Sequence, residues 1–115
     1  MKSYNDLKQS QELATFLPMI SADMYYPLPC TNDDIPVFGE GGFGSTPCWS
    51  LAALLDILNN RAYLIDEDAS VTLSSYKTVE WDLSIINSGL EAVTNSDPID
   101  AAVEMIIKLK EKDLL

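Results

Sequence analysis

The sequence predicts an α+β fold. A small antiparallel sheet of three to four strands packs against two main helices, with an N-terminal helix and a long Pro/Gly-rich loop. Three observations carry this. Leu51, Leu54, Leu55 and Leu58 stand at i, i+3, i+4 and i+7, and so do Ile99, Ala102, Val103 and Ile106, the spacing of one helical face. Between them Val79, Trp81, Leu83 and Ile85 alternate with Glu80, Asp82 and Ser84, the period of a half-buried antiparallel strand. Pro27, Pro29, Pro36 and Pro47 fall with Gly39, Gly41, Gly42 and Gly44 in one window, which sustains neither a helix nor a central strand.

The elements follow in order. Residues 4–16 read as a modest helix, capped by Ser3, facing Leu7, Leu13 and Phe16 inward and stopped by Pro18. Residues 27–46 read as the loop, with short extended pieces at Met24–Tyr26 and Ile35–Phe38. The second helix is expected over 47–58, with Thr46 as N-cap and Pro47 at the first helical position, and Asn59-Asn60 closes it. Strands are then expected at Ala62–Asp66, Val71–Tyr76, 79–85 and Leu90–Thr94, with turns at Asp66-Glu67-Asp68 and Ser88-Gly89. The last helix spans 98–112. Asp97 caps it, Pro98 opens it, Asp100 lies in its first turn and three lysines crowd its C-terminal end, where the helix dipole favours cations. The expected core is Leu51, Leu54, Leu55, Leu58, Trp81, Leu83, Ile85, Val103 and Ile106, with Trp49 beside it. The length of 115 residues fits one domain, 1–115.

Charge sets what the chain is not expected to bind. Eighteen acids, seven bases and no histidine give a net charge of −11. Phosphate repels such a surface, so direct nucleic-acid binding is not expected. Without imidazole there is no Ser-His or Cys-His catalysis and no His metal site. The N-terminus lacks the apolar stretch of a secretory signal, and Trp49 to Leu58 is too short to span a bilayer, so a cytoplasmic protein without a membrane partner is expected. In a reducing cytosol Cys30 and Cys48 are expected unpaired.

Three blocks carry a resemblance: Ser21-Ala22-Asp23-Met24, the run Pro47-Cys48-Trp49-Ser50-Leu51-Ala52-Ala53-Leu54-Leu55, and the run from Asp97 to Leu109. Together they resemble a family of small uncharacterised proteins from gut Bacteroides-group bacteria and their phages and mobile elements. The resemblance spans most of the chain except residues 27–46. It implies a small intracellular α+β unit, and a phage or mobile-element accessory protein, with no catalytic residues to carry over.

The candidate sites are few. Gly39-Glu40-Gly41-Gly42-Phe43-Gly44 is a literal G-x-G-x-x-G, and Asp66 follows at dinucleotide-fingerprint distance. Pro47 would break a helix begun among those glycines, and Asp33, Asp34 and Glu40 place negative charge where phosphates would lie, so a flexible loop is the preferred reading over nucleotide or small-ligand binding. Asp66-Glu67-Asp68 fails as a calcium loop because Val71 stands where glycine is needed and Lys77 where glutamate is needed. No cofactor, metal or catalytic residue is therefore assigned. The acidic field, in which Arg61 is the only base between Lys8 and Lys77, also suits a nucleic-acid mimic. The preferred function is a non-enzymatic protein-interaction module for a protein partner, a basic one suiting the charge. Its expected surface is Tyr25, Tyr26, Asp33, Asp34, Phe38, Glu40 and Phe43: exposed aromatic anchors supply affinity and acids speed encounter.

Overall fold

A computed structural model describes residues 2–27, 34–42, 44–76 (the Tyr76 side chain excepted) and 80–115. The fold is α+β, with three α-helices and two three-stranded antiparallel sheets among the described residues. Its internal contacts group into two units, residues 3–53, and residues 54–115 with Lys2.

The first unit opens with α1 (Leu7–Ala14). Its cap is Asp6 rather than Ser3: the Asp6 carboxylate accepts from Gln9 N–H at 2.7 Å, and the Gln9 side chain accepts from Asp6 N–H at 3.2 Å. This reciprocal box satisfies two donors that a helix start leaves over. A 3-10 turn (Met19–Ser21) follows Pro18. The three strands are β1 (Met24–Tyr26), β2 (Val37–Phe38) and β3 (Thr46–Cys48), in the order β2-β1-β3. Met24 pairs with both Phe38 and Cys48, and Tyr25 with both Val37 and Pro47. Alternation then sorts β1: Met24 and Tyr26 face a core with Leu7 and Cys48, while Tyr25 faces the other way.

The segment 46–48 is thus a strand and not the start of a helix. Gly39 N–H donates to Asp23 C=O at 3.0 Å, so Asp23 and Tyr25 turn their backbone groups toward β2. The rung between Tyr25 and Pro47 is then a non-bonded one, and the missing proline N–H leaves no ladder bond unmade. The second helix, α2, runs over Leu51–Ile65. Its real cap is Ser50, whose hydroxyl accepts from Ala53 N–H at 3.3 Å.

In the second unit α2 continues through Asn59-Asn60 to Ile65, so the strand expected at Ala62–Asp66 is helix as far as Ile65. Its buried residues, Leu54, Leu58 and Ala62, recur every four residues, and this burial overrides the weak helix preference of asparagine. The acidic Asp66-Glu67-Asp68 segment is accordingly a helix-to-strand turn, closed by Asp68 N–H on the Asp66 carboxylate at 2.8 Å. The second sheet contains β4 (Ser70–Tyr76), β5 (Glu80–Ile86) and β6 (Val93–Asn95), in that order. The last strand starts three residues later than expected at Leu90.

Helix α3 (Pro98–Glu111) packs on β5 and β6. Asp97 caps it as expected, its carboxylate accepting from Ile99 N–H at 2.9 Å. The same carboxylate accepts from Lys2 N–H at 2.7 Å, and the Lys2 side chain reaches Asp100 at 2.5 Å. Of the expected core, Leu54, Leu58, Leu83, Ile85, Val103 and Ile106 are buried, whereas Leu51, Leu55 and Trp81 are only half-buried.

Candidate functional site

The first unit carries a groove of about 300 Å³, lined by Met19, Ile20, Ala22, Met24, Tyr25, Gly39, Glu40, Gly41, Ser45 and Pro47. It lies at the small end of the range of ligand pockets, large enough for one or two side chains. Its construction follows from strand order. Strands β2 and β3 flank β1 on opposite sides, so the chain from Gly39 to Ser45 must cross from one edge to the other. It crosses on the Tyr25 side: a Cβ added at Gly41 would stand 3.0 Å from Tyr25 Cβ and 2.0 Å from Ser45 Oγ. Gly41 is glycine because the strap passes too close for a side chain. Gly39, at φ +117°, is glycine for its backbone angle. Ser45 closes the strap, donating N–H and hydroxyl to Gly42 C=O at 3.1 and 2.7 Å. The glycine run therefore leads from strand to strand, and not into a helix N-terminus as a dinucleotide fingerprint requires.

The rim is built by the 3-10 turn. Trp49 is fully buried and its indole N–H donates to Ser21 Oγ at 3.0 Å, while Ser21 Oγ donates to Pro18 C=O at 2.6 Å. Ser21 is thereby pinned inward, and Met19 and Ile20 are left 59% and 90% exposed. Exposed apolar residues beside a concave, mostly apolar surface mark an interaction site more than scattered ones do. Among the described residues, Glu40 is the one charged side chain in the lining.

The residues expected to form one surface are separated. Tyr25 and Glu40 line the groove. Phe38 is 72% exposed but pairs with Met24, which puts it on the sheet face opposite Tyr25. Asp34 is half-buried. Tyr26 is not an exposed anchor: it is 2% exposed, and its hydroxyl donates to Asn5 C=O at 2.7 Å. Alternation along β1 makes this unavoidable once Tyr25 faces the groove. Asp33 and Phe43 lie outside the described residues, as does Cys30 and with it the Cys30–Cys48 pairing. Met19, Ile20 and Pro47 are lining residues that composition did not single out. The signal for the first two was an apolar pair directly after Pro18, past the end of a helix.

Behind β1 lies a buried polar cluster around Asn5. Asn5 N–H donates to Trp49 C=O at 3.1 Å, and Trp49 N–H donates back to Asn5 Oδ1 at 3.2 Å. The Cys48 thiol donates to the same Asn5 carbonyl as Tyr26, at 3.5 Å. Burial pushes the Cys48 thiol above its ordinary value, and burial foremost raises the Tyr26 phenol as well, with Cys48, Tyr4 and Asp6 adding to it. Both groups stay protonated at neutral pH, which makes this a structural cluster rather than a nucleophilic one.

Among the described residues no three of the Cys, Asp and Glu side chains are grouped so as to hold a metal ion, and no helix is long and apolar enough to cross a membrane. No family model, curated protein or solved structure matches the chain.

Proposed function

We propose that this chain is a non-enzymatic protein-interaction module that seats an apolar side chain of a basic partner in the groove of its first unit. The observation that carries the reading is the rim itself: Met19 and Ile20 stand exposed over an apolar floor that includes Tyr25 and Pro47, beside the Glu40 carboxylate. Burying such a rim against a partner side chain supplies short-range affinity. The net charge of −11 raises the encounter rate with a cationic partner, and salt screens that attraction over about 8–10 Å at 0.1–0.15 M.

A display selection of random peptides against the full chain tests this. Enriched sequences are expected to combine a large apolar residue with flanking Lys or Arg. Met19→Ser with Ile20→Ser removes their binding and leaves the melting temperature in place, because both side chains are already in water. Glu40→Gln slows association and flattens its salt dependence. Peptides that bind the double variant unchanged place the surface elsewhere. A reproducible thermal shift with ATP or NAD, lost on substituting the strap glycines, replaces the module with a nucleotide-binding domain.

A further inference from the structure

In the second unit, β4 is an edge strand with a partner on one side only among the described residues. Its sequence is Ser-Val-Thr-Leu-Ser-Ser-Tyr, seven residues with no charge, no proline and no glycine. Natural proteins blunt exposed edges with lysine, proline, bulges or brevity, and β4 uses none of these. Val71 and Leu73 pair with the buried Ile85 and Leu83, yet are themselves only half-buried, so the packed face of the sheet thins out at this edge. Thr72 and Ser74 lie exposed on the opposite face.

We propose that β4 pairs antiparallel with β4 of a second copy of this chain, joining two three-stranded sheets into one of six strands. A second copy is the occupant for two reasons. The edge is neutral within a chain of net charge −11, so it has nothing to attract a basic partner, and it is a place where two copies meet with little local repulsion. The strand is also self-complementary. A two-fold axis through Leu73 sets Leu73 against Leu73 on the half-buried face and Thr72 opposite Ser74 on the other, the isologous arrangement most dimers use. Seven residues at about 3.4 Å each give an edge about 24 Å long. That alone buries less than the roughly 1,000 Å² of a stable specific interface, so the dimer is weak and concentration-dependent.

Sedimentation of the full chain from about 1 µM to about 1 mM tests the pairing. A reversible monomer–dimer equilibrium is expected, and added salt strengthens it by screening the like net charges, the opposite sign to binding of a basic partner at the groove. Thr72→Lys with Ser74→Lys sets lysine against lysine across the axis and weakens dimerisation at least tenfold, with far-UV circular dichroism unchanged. Leu73→Cys, in a Cys30→Ser background, forms a disulfide-linked dimer on mild oxidation, whereas Val71→Cys does not, because the axis moves the two copies of residue 71 apart. A chain that stays monomeric at every concentration and gives no Leu73→Cys dimer overturns the proposal. So does a dimer that survives the folded lysine variant.

Discussion

The Asp23 carboxylate accepts twice from Ser50, from its N–H at 2.9 Å and from its hydroxyl, while the Ser50 hydroxyl accepts from Ala53 N–H. An acid just before β1 thus orients the cap of α2, 27 positions away. Its own carbonyl accepts from Gly39 N–H. Asp23 belongs to the framework that holds the groove, and not to a free acidic field.

Asp23→Ala is expected to cost about 2–3 kcal/mol, since it removes a charge-assisted bond and loosens a helix cap. Asp23→Asn should recover part of this, because one acceptor oxygen remains. Urea denaturation of both variants checks it, and equal losses would show that the charge matters more than the acceptor.

Strap glycines should separate by position. Gly41→Ala drives a methyl into Ser45 and Tyr25 and is expected to destabilise by about 1–3 kcal/mol. Gly42→Ala meets nothing within 4 Å and should change stability little. Thermal melts of the two alanine variants decide whether the strap is held by close approach or is merely loose.

Stability should fall on the alkaline side. Tyr26 and Cys48 both have raised values in the folded chain, so the unfolded chain gives up these protons first. It then binds fewer protons than the native state, and stability falls with pH above the ordinary values of about 8.5–10, by at most about 1.4 kcal/mol per pH unit for each group. Below those values both groups are protonated in either state and contribute no slope. Tyr26→Phe should flatten the decline while losing about 1 kcal/mol at neutral pH with the hydrogen bond to Asn5. An unchanged alkaline slope in that variant removes Tyr26 from the account.

Leu54→Ala should cost about 2–5 kcal/mol through lost burial and a residual cavity, because Leu54 is fully buried. Leu55→Ala, on a half-buried neighbour, should cost clearly less. Chemical denaturation of the pair reads the orientation of α2 directly.

Much of this was local and therefore legible in the sequence. Period two from Glu80 to Ile85 and the Asp97-Pro98 start of α3 decide their own structure, because alternation and capping need only near neighbours; Val79, where the expected strand began, lies outside the described residues. Three features were not local. Pro47 reads as a helix start in the sequence, and only its pairing with Tyr25 on a non-bonded rung selects the strand. Asn59-Asn60 reads as a helix stop, and the burial of Ala62 one turn further carries α2 through it. Tyr25 and Tyr26 are the same residue type in adjacent positions, so composition gives them one role. The strap crossing over Tyr25 and the core closing over Tyr26 give them two. Sequence by itself determined the α+β class, the acidic charge and the patterns behind β5 and α3, because those depend on spacing and composition. Which aromatics are buried, which glycines are required and where a groove opens depended on strand order, since each arises where segments far apart in sequence come into contact.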